Sequence, residues 1–207
     1  MIKDLTFICS ILIIGGFLSC NSPSIPRPEG SIPRPEGSIP RPEGYFRIEL
    51  PKIDYKKSEG LCGYEFEIPV YSMVEEVKSS QKDVCWYHVR FPTFNARLHC
   101  TDIMLDNNLD VLIQDAQDLV FSHDQKANGI RRIRVVNKQT KGGAEGVLYH
   151  LEGPVATPIQ FFVTDSTQHF LRGSLYFDNT LNPDSTAPVI ARLLSDVEHF
   201  MRTVSWE

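Results

Sequence analysis

Asp165, Ser166 and His169 stand in one short stretch, and their types are those of a hydrolytic triad. A triad must converge around a substrate, and one tight turn rarely arranges that. No Gly-x-Ser-x-Gly elbow occurs, so these residues read as hydrogen-bonded turn residues. The six histidines, His88, His99, His123, His150, His169 and His199, form no His-x-x-x-His pair. His88, His99 and His150 fall in strand-like segments and can meet across a sheet, but no metal-ligand spacing supports them. Gly142-Gly143 lacks a phosphate-loop lysine motif. Arg131-Arg132-Ile133-Arg134 reads as a solvated strand face. The residues therefore imply no enzyme, no metal and no cofactor.

Binding chemistry is better placed in Cys85–Phe94. Tyr87, Val89 and Phe91 share one parity, Trp86, His88 and Arg90 the other. The first set suits a core. Trp86, His88 and Arg90, with Phe94 past a proline bend, are then candidates for a partner-binding face, since Trp and Arg are enriched at hot spots. A helix covering that face is the competing reading.

The chain has 207 residues, 42% hydrophobic and 23% charged, with net charge −5. That balance argues against a general nucleic-acid binder. Met1–Ser19 reads as a secretory signal: Lys3 near the start, an apolar run from Leu5 to Leu18, then a small residue before Cys20. Phe17-Leu18-Ser19-Cys20 resembles a bacterial lipobox, which implies acylation of Cys20 and a membrane anchor. Ser24–Gly44 is three copies of Ser-Ile-Pro-Arg-Pro-Glu-Gly. Two prolines per repeat favour extended polyproline II, so the lipidated Cys20 and its tether, residues 20–44, would act as a spacer of at most about 75 Å. Residues 45–207 are then one globular domain.

Cys9 leaves with the signal, and Cys62, Cys85 and Cys100 remain. An oxidising periplasm allows a disulfide. Cys62–Cys85 is the better pair, both at strand edges beside loops, and closing that loop is worth about 3 kcal/mol on the chain-entropy model. Cys100 becomes a buried thiol.

Ile159–Phe177 is a hairpin signal, two apolar arms around Asp165-Ser166-Thr167-Gln168. Gly173 leaves a gap that a covering helix would explain. Further strands are expected over Tyr45–Leu50, Tyr64–Tyr71, Cys85–Phe91, Asn95–Leu105, Ile130–Asn137 and Gly146–Glu152, with Glu75–Asp83 a polar loop. Helical stripes run over Asn107–Ala127, stopped at Gly129, and over Ser185–Ser205, capped by Asp184 or Ser185 with Pro188 in its first turn. The second helix is the candidate cover for Gly173. This order implies α+β: an antiparallel sheet of about six strands with two main helices packed on it, by analogy of the PsbP/Mog1-like kind.

Gly44-Tyr45-Phe46-Arg47-Ile48-Glu49-Leu50-Pro51, Tyr64–Tyr71, Cys85-Trp86 with Phe91–Ala96, Gln160–Gly173 and the tail Asp184-Ser185 through Trp206 together resemble the gliding-motility lipoprotein GldD family of Bacteroidetes. The resemblance runs from Gly44 to the C-terminus. It implies a non-catalytic envelope lipoprotein needed for gliding and the type IX secretion system, with other gliding and secretion envelope proteins as partners. Asn21-Ser22-Pro23 follows Cys20 without an acidic cluster, which in that lineage implies an outer-membrane protein facing the periplasm. The triplicated heptad and Lys138–Gly143 depart from the family pattern. The alternative function is a periplasmic domain that binds or hydrolyses a small ligand or glycan.

Overall fold

In the computed structural model the described residues are 47–58, 62–78, 84–123, 125–137, 143–179 and 183–206. The signal, Cys20 and the tether lie outside them. Gly44–Glu207 forms one compact unit. Among the described residues the elements run β1 (Tyr55–Ser58), β2 (Tyr64–Pro69), β3 (Met73–Val77), β4 (Val84–Phe91), a 3₁₀ turn (Pro92–Phe94), β5 (Ala96–Met104), α1 (Leu109–Phe121), β6 (Gly129–Asn137), β7 (Ala144–Glu152), β8 (Ile159–Thr164), β9 (His169–Phe177), α2 (Pro183–Thr203) and β10 (Ser205–Trp206).

The architecture is α+β, two helices on antiparallel sheets. Instead of one sheet of about six strands there are two: a seven-stranded sheet ordered β3-β4-β5-β9-β8-β7-β6 and a small sheet ordered β1-β2-β10. The Ile159–Phe177 hairpin supplies β8 and β9 near the middle of the large sheet. Every residue of β8 is buried, because both faces are covered. Ile159, Phe161 and Val163 meet Leu193, Val197 and Phe200 of α2, with β2 beyond them. Phe162 and Phe170 meet Ala116 and Val120 of α1, together with Tyr149 and Leu151. Side chains alternate along a strand, so α1 and α2 lie on opposite faces. β2 shows the same logic: Tyr64, Phe66 and Ile68 are buried and Glu65 is exposed.

The gap at Gly173 is filled first by a side chain of the paired strand. Phe161 stands opposite Gly173 in register, and any Cβ there would overlap the Phe161 ring. Phe200 of α2 then packs edge-on against Phe161, ring centres 5.7 Å apart. The expected helix is present, but as a second layer over an aromatic that occupies the glycine's place.

Several expected elements are corrected. The described part of Tyr45–Leu50, Arg47–Leu50, is not a strand. Its neighbour downstream is held by a side chain: Arg192 of α2 donates to the carbonyls of Pro51 at 3.1 Å and Lys52 at 3.2 Å. The first strand is Tyr55–Ser58 instead. Met73–Val77, at the start of the expected polar loop, is an edge strand; an edge needs only one neighbour, so its Glu75-Glu76 pair breaks no alternation rule that matters there. α1 is shorter than its periodic stripe: it ends at Phe121 with Ser122 closing it, and Gly129 opens β6. Asn108 precedes it without a side-chain cap bond. α2 begins at Pro183, where a proline is pre-organised for the first helical position. Asp184 and Ser185 are therefore inside the helix, and Pro188 falls in its second turn. Ser205, expected as the last helical residue, instead joins Trp206 in β10, which adds to β2.

Candidate functional site

α1 packs on β8 and β9. Beyond it, the same face of β3, β4 and the Arg97–Thr101 part of β5 carries no helix among the described residues; at Ile103 the face already meets α1. Tyr87, Val89 and Phe91 go into the core beneath, which turns Trp86, His88 and Arg90 outward. The structure brings these three together with residues of the neighbouring strands. Register places Trp86 opposite Thr101, His88 opposite His99, and Arg90 opposite Arg97. One strand further, Thr101 faces Arg172, His99 faces Ser174, and Arg97 faces Tyr176. The face is thus three cross-strand rows of polar and aromatic side chains.

Phe94 does not join it. It sits in the 3₁₀ turn, edge-on to Tyr71 with ring centres 5.6 Å apart, and packs on the core of the other side.

Within the face, His88 and His99 meet edge to face at 4.2 Å, and His99 meets Tyr176 at 5.1 Å. Burial lowers the pKa of His99, and His88 and Arg97 push it further the same way. Arg90 and Arg97 are like charges directly across a ladder, an unfavourable pairing on its own. Glu75 relieves Arg90 with an ion pair at 3.2 Å. Among the described residues the buried Nε of Arg97 has no partner. Next to this row a shallow cavity of about 470 Å³ is lined by His99, Thr101, Arg172, Gly173, Ser174 and Tyr176. A larger one, about 640 Å³, lies past Tyr176 and reaches His123, Lys126, Phe177 and Ile190.

The other candidates separate. His150 stands opposite Ile159 and so on the α2 side of the sheet, away from His88 and His99; its Nδ1 is 3.2 Å from Arg131. Among the described residues no cluster of three or more metal-ligating side chains forms. Asp165 Oδ1 accepts the backbone N–H groups of Thr167, Gln168 and His169 at 2.8–2.9 Å. Burial alone would raise its carboxyl, but these three bonds hold it below its ordinary value. Ser166 takes a positive φ of 65° to make the turn. His169 turns away, stacks on Trp206 at 5.3 Å and lies 3.6 Å from the buried Asp102. The three residues therefore build a turn and a packing contact, with no shared substrate position. In the basic run Arg134 pairs with Glu145 and Arg132 lies over the Phe121 ring. Cys62 and Cys85 form a disulfide with Cα atoms 5.8 Å apart. Cys100 is a buried free thiol whose pKa burial pushes well up.

The residues that sequence reasoning missed on the face are Arg97, Thr101, Arg172, Ser174 and Tyr176. The signal was available: the period-two alternation of Arg97, His99 and Thr101 against Leu98 and Cys100 puts them on one side of β5.

No curated protein matches the chain. Among solved structures, the solution structure of cyanobacterial PsbP (CyanoP) from Synechocystis sp. PCC 6803 is similar at TM-score 0.37 and 12% identity, covering 73% of this chain and 95% of that chain. The family model described as gliding motility lipoprotein GldD matches residues 35–206, most of the chain. The chain belongs to the gliding motility lipoprotein GldD family.

Proposed function

We propose that this protein is a non-catalytic lipoprotein of the outer membrane, anchored through Cys20 and facing the periplasm, which supports gliding and type IX secretion by docking another envelope protein. The observation that carries the docking reading is the helix-free face of β3, β4 and the Arg97–Thr101 part of β5, where Trp86 and Arg90 stand exposed or half-buried beside His88. Trp and Arg are the types that dominate interface energies. A face of this kind, rimmed by charge, fits an interface between proteins better than a buried reaction centre. Family membership supports the gliding role and the lipid anchor. The proline-rich repeats then act as a spacer between bilayer and domain.

The test is a Trp86→Ala, Arg90→Ala double variant in cells. It should fold and reach the membrane fraction normally, yet fail to co-purify crosslinked envelope partners and fail to restore secretion. Full restoration of secretion overturns the docking reading.

A further inference from the structure

Arg172 of β9 forms no ion pair or hydrogen bond among the described residues, although it lines the 470 Å³ cavity on the open sheet face. Burial lowers its pKa, with only Tyr176 and Asp115 acting on its charge from further off. A guanidinium held in a partly desolvated place without a carboxylate is an arrangement that an anion would complete. A second guanidinium lies two rows along the same strands. Arg97, opposite Tyr176 and outside the cavity lining, keeps a buried Nε without a partner among the described residues. The cavity beside Arg172 offers further polar groups: the hydroxyls of Thr101 and Tyr176, the ring of His99, and the Ser174 hydroxyl, which donates to Gln160 Oε1 at 3.5 Å and can accept. Thr101 is the cross-strand neighbour of Arg172, and Ser174 that of His99, so their side chains rise from the sheet side by side. No carboxylate pairs with Arg172 among the described residues: Glu75 is engaged by Arg90, Asp115 and Asp118 line an adjoining cavity with Arg172 without an ion pair to it, Asp118 being held by Gln114, and Asp178 acts on His99 instead.

We propose that this cavity is a binding site for a phosphate group, with Arg172 as its principal ligand and Thr101, Ser174 and His99 around it. The planar guanidinium fork of Arg172 fits phosphate oxygens two at a time, with neighbouring hydroxyls for the rest. The site does not depend on the docking role of Trp86 and Arg90: it lies on β5 and β9, and it would bind with no partner protein present. The phosphate has two sources, a soluble phosphate or phosphate ester, and the headgroup of an anionic phospholipid.

The experiment titrates the purified domain, residues 45–207, with inorganic phosphate at constant ionic strength, following amide shifts in β5 and β9. A parallel arm measures co-sedimentation with vesicles containing phosphatidic acid against vesicles of phosphatidylcholine alone. Saturable phosphate binding is expected, at least tenfold weaker in Arg172→Gln and weakened also in Thr101→Val, which is isosteric and keeps the fold. Arg134→Gln, in an exposed pair elsewhere, should bind as the parent does. Phosphate binding marks a soluble source; Arg172-dependent sedimentation with the phosphatidic acid vesicles and no response to free phosphate marks the lipid headgroup. Binding that is absent in both arms, or equal in parent and both cavity variants, overturns the site. Either result leaves the partner co-purification test standing, since that test uses other residues.

Discussion

Arg192 and Asp196 stand one turn apart on α2, and their side chains meet at 3.0 Å where water hardly reaches: they are 7% and 0% exposed. The pair is completed by everything around it. Tyr55 donates to Asp196 Oδ1 at 2.9 Å and Tyr71 to Oδ2, while Arg192 spends its other N–H groups on the Pro51 and Lys52 carbonyls. Burial, and then the bond to Asp196, pushes the Tyr55 hydroxyl up to about 12 and that of Tyr71 higher still. Breaking a buried pair by removing one partner costs about 3–5 kcal/mol, because the remaining charge is stranded. Asp196→Ala should therefore lose about that much stability in urea denaturation. Replacing both residues, Arg192→Met with Asp196→Leu, should lose much less. A cost below about 1 kcal/mol for Asp196→Ala would show that water already reaches the pair.

Gly173→Ala forces a methyl into the Phe161 ring. Phe161 is itself wedged against Phe200, so it has little room to yield. Overpacking of this kind costs about 1–3 kcal/mol. Shrinking the opposing residue should restore part of it: Gly173→Ala with Phe161→Leu should be less destabilised than the sum of the two single variants. Additive losses in thermal melts would mean that the two positions do not compete for space.

Asp102 is buried beside His169, and among the described residues neither its Oδ1 nor the indole N–H of Trp206 has a partner. Burial raises the Asp102 carboxyl from 3.8 to about 6, with His169 pulling the other way. The folded state then binds more protons than the unfolded state between those values, so this residue's contribution to stability falls as pH rises from about 4 to about 6. Above that window Asp102 costs stability; below it both states are protonated and the cost vanishes. Asp102→Asn should melt higher than the parent at pH 7.5 and no higher at pH 4. The opposite ordering would mean that the ionised pair with His169 is the favoured form.

Cys20→Ala should lose acyl labelling and leave the membrane fraction in fractionated cells. Deleting two of the three heptads should leave the melting temperature of the domain unchanged, since a spacer contributes length and no packing. Unchanged membrane partitioning of the Cys20 variant would end the anchor reading, and a drop of several degrees in the deletion would end the spacer reading.

The parts legible in the sequence were those where one local rule decides. Period two in Tyr64–Ile68 and Cys85–Phe91, period 3.6 in the two helices, and the Asx chemistry of Asp165 all act within a few residues. What stayed hidden depends on distant neighbours. Met73–Val77 is a strand only because β4 lies beside it. Ser205 leaves the expected helix because β2 offers Ser205-Trp206 a ladder edge. Arg192 and Asp196 look like an ordinary i,i+4 surface pair until Tyr55, Tyr71 and the Pro51 and Lys52 carbonyls arrive from the other end of the chain. The face was half read: parity identified Trp86, His88 and Arg90, but register across two further strands was needed to add Arg97, Thr101 and Arg172. Phe94 was misplaced because a 3₁₀ turn rotates side chains out of strand parity.

The Cys62–Cys85 bond also fixes how the domain would answer a pull on its N-terminus. Tension arriving before Pro51 meets the Arg192 contacts first, then peels β1 from β2. Peeling can go no further than Cys62, because there the chain is bolted covalently to Cys85 at the root of β4. From that point the force jumps past β2 and β3 and enters the seven-stranded sheet directly. The bond so separates a short sacrificial lip, β1, from the rest of the domain.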